Sequence, residues 1–257
     1  MTTVEADDGK VVLITGASGG VGRGIALSCA AAGWTVWIAA RRQIEGAAVA
    51  AEVDALGGLG HFVECDAADA AAVQRVVTTI KSISGRLDGV VLNATSGLSP
   101  KPVHLAEVPI AELEDHIAVS LRGLHLLATT TYDLLRASSG SLVVLTSEAG
   151  FEGKAKLSVY AAIKAAQRGM VRSLAREWGP EGIRVNCVAP LASTPAMDRA
   201  FEMDPEMAAR ILGRNPLGRL GDPATDVGPV VRFLLSDDAR YLTGNTLMAD
   251  GGSCPVT

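Results

Sequence analysis

Hydrophobic positions along this chain fall into two alternating kinds of run. Short continuous runs rich in Val, Leu and Ile occupy Val11–Thr15, Thr35–Ala39, His61–Cys65, Gly89–Asn93, Ser141–Thr146, Arg184–Val188 and Asn245–Met248. Runs without polar alternation predict strands buried on both faces. Between them, apolar residues recur every three or four positions, as at Ile110, Leu113, Ile117, Leu121 and Leu124, which predicts a buried helix face. Strand, helix, strand, helix is the pattern of a parallel sheet covered by helices on both sides, so the predicted fold class is α/β, a doubly wound sheet of about seven strands. With no repeat, linker or low-complexity tract, a single domain is expected over 1–257. Two stretches break the regularity. Residues 94–108 form a loop with Gly97, Pro100 and Pro102. Residues 190–223 hold Pro190, Pro195, Pro205, Pro216 and Pro223 together with Phe201, Met203, Met207 and Ile211 at helical spacing, and read as a substrate lid.

Composition narrows the classes. The chain has 257 residues and a hydrophobic fraction of 48%, enough for a large core without disulfides or metal. Its net charge of −5 argues against a nucleic-acid surface. No apolar run approaches the ~20 residues of a membrane span. The opening MTTVEADDGK carries three acids and does not resemble a secretory signal. Cys29, Cys65, Cys187 and Cys254 form no CxxC pair and read as reduced thiols, so a cytoplasmic protein is expected. His61, His104, His116 and His125 show no metal-ligand spacing, and no metal is predicted.

Chemistry enters with the glycines. The first run, VVLIT, leads directly into TGASGGVGRG, so Gly16, Gly20 and Gly22 punctuate a strand-to-helix turn. Glycines there let a pyrophosphate approach the amides at the helix N-terminus. A turn that merely packs helix on strand also uses glycine; its place after the first strand favours the phosphate reading. In dinucleotide folds a carboxylate about 20 residues further on binds the ribose 2′-OH of NAD. Here the second run ends without an acid and is followed by Arg41 and Arg42. Guanidinium groups bind a 2′-phosphate that a carboxylate would repel, which predicts NADP(H) over NAD(H).

Tyrosine occurs only three times, and only Tyr160 stands four residues before a lysine, Lys164, inside the helical pattern LSVYAAIKAAQRG. That spacing sets both side chains on one helix face. A phenol with a pKa of about 10 is a poor proton relay at neutral pH unless its anion is stabilised, as a nearby ammonium does. Ser147 follows the fifth run and Asn93 closes the fourth, at strand ends that face the ligand crevice of such sheets.

Taken in order, TGASGGVG, Asn93-Ala94, Ser147, Tyr160-x-x-x-Lys164, IRVNCVAP and YLTGNTLMADGG match the spacing of the short-chain dehydrogenase/reductase family. The chain resembles its single-domain subtype over nearly the whole length. RNPLGRLGDPATDVGPVVRFLLSD is similar to the 3-oxoacyl-acyl-carrier-protein reductase branch. The resemblance implies a Rossmann-like fold, a homotetramer, and Tyr160 as the general acid/base. Lys164 would hold the nicotinamide ribose and lower the Tyr160 pKa, and Ser147 would bind the substrate oxygen. Gly16, Ser18, Gly20, Val21 and Gly22 would line the pyrophosphate turn. Asp66 and Ala67 would meet the adenine, Asn93 would support the cofactor, and Thr194 would contact the phosphate or carboxamide. Ser120, in Val119-Ser120-Leu121, stands where the family carries an asparagine that holds a relay water, so Ser120 either rebuilds that relay or slows it. Thr95, Leu191 and Ile163 also depart from the family pattern, which suggests a site reshaped for its own substrate.

The function expected is an NADP(H)-dependent interconversion of a ketone and a secondary alcohol on a hydrophobic substrate, a 3-oxoacyl thioester or an alicyclic or steroid-like ketone. An NAD-dependent alcohol, sugar or hydroxysteroid dehydrogenase and a non-catalytic dinucleotide-binding sensor are the alternatives. Arg168, Arg172 and Arg176 form a stripe that reads as solvated or subunit-facing, or as a docking face for an acyl carrier protein.

Overall fold

The structure, a computed structural model, describes residues 9–99 and 102–254. The acid-rich start, Pro100 and the last residues of the expected 1–257 span lie outside the described residues. Seven strands form at the predicted runs: β1 Val11–Thr15, β2 Thr35–Ala40, β3 Leu59–Glu64, β4 Gly89–Leu92, β5 Ser141–Leu145, β6 Arg184–Pro190 and β7 Thr246–Ala249. They pair in parallel in the order β3-β2-β1-β4-β5-β6-β7.

The helices are α1 Gly20–Ala30, α2 Gln43–Ala55, α3 Ala70–Ile83, α4 Ile110–His116, α5 Gly123–Ser138, α6 Ala149–Glu152, α7 Ser158–Trp178, α8 Pro195–Met203, α9 Pro205–Gly213 and α10 Gly228–Leu235. They lie on both faces of the sheet, and β1 explains why its run lacks alternation. Val11 and Leu13 join a core with Val76, Leu127 and Val171 from α3, α5 and α7. Val12 and Ile14 join a second core with Ile25, Val53 and Val231 from α1, α2 and α10. Each such side chain contributes about 1.5–3 kcal/mol by leaving water, so both faces of every central strand are selected to be apolar.

The stripe predicted over Ile110–Leu124 is corrected by the structure. Ile110 and Ile117 are exposed and only Leu124 of the five is buried; the inward face is His116, Val119, Ser120 and Leu124. A π-helical turn, Ile117–Arg122, joins α4 to α5. Its wider winding shifts the phase that a 3.6-residue period assumes. In the 190–223 stretch, α8 and α9 each begin at a proline, capped by the side chains of Thr194 and Asp204. Met203 is 81% exposed, turned away from the sheet.

Candidate active site

The chain runs β1, β2, β3 outward and then returns to the other side of β1 as β4. Loops leaving β1 and β4 therefore part in opposite directions and open a crevice at the C-terminal edge of the sheet. A cleft of about 1320 Å³ occupies that edge. This exceeds the roughly 300–1,000 Å³ of a site for one small ligand, and leaves room for a dinucleotide beside a substrate.

At one end the cleft is walled by the glycine-rich turn. Gly16 and Gly20 have φ of +67° and +54°, in the region where a side chain is strained. A Cβ on Gly22 would stand 2.5 Å from Asn93 Nδ2 and 2.7 Å from Gly16 O. Asn93 closes the gap by donating its Nδ2 to the carbonyls of Thr15 and Gly16, at 3.1 and 3.0 Å. Thr15 Oγ1 accepts from the amides of Asn93 and Ala94, both at 3.2 Å, which ties β1 to β4; strand-end reasoning had not singled Thr15 out. The N-cap of α1 is Gly19, which offers no side-chain acceptor, so the first amides of that helix remain available to an anion. These features fit a pyrophosphate.

Beside the turn, Arg42 donates to the Ser18 hydroxyl and carbonyl and pairs with Glu45. It is thereby anchored on the protein itself. Arg41 is exposed, lines the cleft and has no hydrogen-bond or ion-pair partner among the described residues. Asp66 and Ala67 line the same end, with Asp66 Oδ1 accepting from Ala68 N at 2.9 Å. Thr194 lies across the turn; a Cβ on Gly20 would be 3.6 Å from its Cγ2.

At the centre, Ser147, Tyr160 and Lys164 share the cleft. Ser147 stands just beyond β5, and Tyr160 and Lys164 lie one turn apart on α7. Thr146 Oγ1 donates to Lys164 O at 3.0 Å, and Lys164 Nζ to Leu145 O at 2.8 Å, so β5 and α7 are bonded in both directions. A Cβ on Gly150 would be 2.8 Å from Ala165 N, so α6 packs close on α7. The expected depression of the Tyr160 pKa is not what this arrangement yields. Burial pushes the phenol up to about 12; contact with the Ser147 hydroxyl lowers it and the Glu148 charge raises it. Burial brings Lys164 down to about 8. Its ammonium lies 5.7 Å from the centre of the Tyr160 ring and is aimed at Leu145.

Ser120 lies beneath α7, fully buried on the π turn, and its hydroxyl has no partner among the described residues. Its backbone carbonyl accepts from Gln167 Nε2 at 3.2 Å. Gln167, on α7 and 1% exposed, was not anticipated. Nor was Glu148, directly after Ser147, whose Oε2 accepts from the Ser147 hydroxyl at 2.7 Å while Lys154 bonds its other oxygen. An acid adjoining a strand-end serine was the available signal. Arg168, from the predicted stripe, is not simply solvated: its guanidinium lies 3.1 Å over the Phe151 ring and donates to Gly150 O at 2.8 Å. Arg172 and Arg176 are exposed.

At the far end the cleft is lined by Leu191, Met197, Met207 and Ile211. The four cysteines are buried free thiols. Among the described residues no cluster of His, Cys, Asp and Glu could hold a metal ion, and no helix is long and apolar enough to cross a membrane.

Comparison with known proteins agrees with this architecture. A family described as Enoyl-(Acyl carrier protein) reductase matches residues 16–254. A 2-dehydro-3-deoxy-D-gluconate 5-dehydrogenase of Pseudoalteromonas atlantica is 34% identical, over 95% of this chain and 96% of the relative. The 3-oxoacyl-[acyl-carrier-protein] reductase FabG of Staphylococcus aureus is 36% identical, over 95% and 97%. Among solved structures, levodione reductase superposes with a TM-score of 0.89 at 31% identity, covering 96% of this chain and 98% of that one. On sequence, sheet order and structural likeness together, the chain belongs to the short-chain dehydrogenase/reductase family of oxidoreductases, which use nicotinamide dinucleotides on small-molecule substrates.

Proposed function

We propose that the protein is an NADP(H)-dependent oxidoreductase that interconverts a ketone and a secondary alcohol on a substrate with a hydrophobic body, an alicyclic ketone or a 3-oxoacyl thioester. The observation that carries the reading is the meeting of Ser147, Tyr160 and Lys164 in one cleft that continues to Arg41, which has no partner among the described residues. The amides of α1, with Gly16, Ser18, Gly20, Val21 and Gly22 around them, hold the pyrophosphate. Asp66 and Ala67 flank the adenine, Asn93 braces the cradle, and Thr194 covers it. Arg41 takes the 2′-phosphate, with Arg42 stiffening the turn behind it. When bound, the nicotinamide supplies or takes up the hydride. Tyr160, protonated at neutral pH, gives its proton to the carbonyl oxygen, and Ser147 stabilises the charge that develops there. Lys164 and Ser120 lie on the inner side, where Tyr160 is reprotonated. Met197, Met207 and Ile211 on α8 and α9 cover the substrate. The exposed Ile110, on α4, and Ile117, where the π turn begins, support a subunit interface there, in keeping with a homotetramer.

The test is a panel of alicyclic ketones and 3-oxoacyl thioesters with NADPH and NADH, on wild type, Tyr160→Phe and Arg41→Ala. The expected result is NADPH-dependent turnover that falls roughly 100-fold or more in Tyr160→Phe. In Arg41→Ala, NADPH affinity should fall roughly 10-fold or more while NADH affinity holds. Undiminished turnover in Tyr160→Phe, or equal affinities unmoved by Arg41→Ala, would overturn the mechanism or the cofactor assignment respectively.

A further inference from the structure

The Ser147 hydroxyl has one proton to donate. In this structure that proton goes to Glu148 Oε2, at 2.7 Å. Glu148 is no surface acid: its side chain is 18% exposed and lines the cleft. Burial raises its pKa, but the bond from Lys154 and the one from Ser147 outweigh this and hold the carboxyl below its usual range. It is therefore an ionised acceptor fixed beside the oxygen that is to serve the substrate carbonyl. The arrangement is costly, because Ser147 cannot donate to a ketone while it donates to a carboxylate.

A second donor arriving with the substrate removes the conflict. Oxygens on adjacent carbons lie about as far apart as two hydrogen-bonded oxygens, about 2.8 Å. A substrate carbonyl placed at Ser147 thus carries a neighbouring hydroxyl to within reach of Glu148. That hydroxyl donates to Glu148 Oε2, and the Ser147 proton is released to turn onto the carbonyl oxygen. We propose that Glu148, held by Lys154, selects substrates bearing a hydroxyl next to the reacting carbon: α-hydroxyketones in the reducing direction and vicinal diols in the oxidising one. This rests on the ketone–alcohol reading of the site. The apolar lining of Leu191, Met197 and Met207 then holds the carbon body, while Glu148 reads the second oxygen.

The test compares 2-hydroxycyclohexanone with cyclohexanone on wild type, Glu148→Ala and Glu148→Gln. A hydrogen bond to a charged acceptor predicts a wild-type kcat/KM ratio of roughly 10 to 100 in favour of the hydroxyketone. Glu148→Ala should bring the ratio near one, by a fall on the hydroxyketone and a rise on the plain ketone as Ser147 is released. Glu148→Gln, which keeps the shape of the side chain, should lower the ratio without loss of thermal stability and serves if the alanine variant does not fold. A wild-type ratio near one, or a parallel fall on both substrates, would overturn the proposal and leave Glu148 an anchor for Lys154. Calorimetric binding of cis-1,2-cyclohexanediol and cyclohexanol to the cofactor-bound protein separates the two readings. A preference for the diol that disappears in the Glu148 variants supports the proposal even if neither ketone is turned over, in which case the ketone–alcohol reading fails instead. No diol preference counts against the proposal alone.

Discussion

Lys164 is a buried ammonium with no carboxylate partner among the described residues, and replacing it by methionine should make the protein more stable while destroying its activity. The side chain is 4% exposed, and its hydrogen bond is to Leu145 O at 2.8 Å. Burial lowers its pKa from 10.5 to about 8. The unfolded chain therefore holds, between pH 8 and 10.5, a proton that the native state has released, and stability rises with pH across that window. Below pH 8 both states are protonated and the full cost of the buried charge is present. At about 1.36 kcal/mol per pKa unit, that cost is about 3 kcal/mol. Lys164→Met removes it, and also removes a hydrogen bond worth about 1 kcal/mol. The variant should thus exceed wild type by about 2 kcal/mol at pH 7, and most of the advantage should be gone by pH 9.5. Urea denaturation followed by circular dichroism at both pH values measures the difference, in which titration of the tyrosines and cysteines common to both chains largely cancels. A variant less stable than wild type at pH 7, or a difference that does not change with pH, would refute the argument that desolvation governs this lysine.

Gly22→Ala should lower both Tm and cofactor affinity, since its Cβ would stand 2.5 Å from Asn93 Nδ2 and 2.7 Å from Gly16 O. Overpacking of this kind costs about 1–3 kcal/mol, and an unchanged Kd would show that the turn gives way without disturbing the site. Ser120→Asn should change both turnover and its solvent isotope effect, because the new amide competes with Gln167 for the turn beneath Lys164; if neither moves, Ser120 has no part in proton supply. Arg86 holds Asp88 at 2.6 and 2.9 Å, and Asp88 in turn accepts from Val11 N at 2.8 Å. Asp88→Ala should therefore destabilise the start of β1 by about 1–3 kcal/mol in thermal denaturation without altering cofactor preference.

The sheet was legible because each central strand is buried twice, and a short, unbroken apolar run between turn residues is what such burial demands. All seven strands formed within about two residues of their predicted ends, the margin within which boundary assignments themselves differ. The helix through Ile110 to Leu124 was misread for an equally physical reason. Ile110 and Ile117 face solvent while His116 and Ser120 face inward, so the buried face is one that carries polar residues and apolar spacing picked out the opposite one. In the expected lid, helical spacing alone put Met203 with Met207 and Ile211. The break at Asp204-Pro205 starts a new helix, so Met203 and Met207 belong to different faces.

The reacting centre and the substrate end differ in how they are encoded, and this bears on where specificity resides. Ser147, Tyr160 and Lys164 are placed by backbone geometry that any sequence of this fold must keep: one strand end, and two positions a helical turn apart. Spacing sets Tyr160 and Lys164 on one helix face and puts Ser147 at a strand end, and the family resemblance is what gives the three their expected roles. Glu148 is placed by side-chain chemistry, through a hydroxyl on one side and Lys154 on the other, and Lys154 comes from a loop after a four-residue helix. Nothing in the periodicity of the chain marks such a pair. Yet the carboxylate touches both neighbours that matter: it takes the Ser147 proton, and it adds to the burial that chiefly raises the Tyr160 pKa. A protonated phenol can donate a proton when a ketone is reduced and its anion can accept one when an alcohol is oxidised, so the equilibrium between the two is set by substrate and cofactor rather than by this residue. The part of the site least visible in sequence is thus the part on which the proposed substrate preference rests.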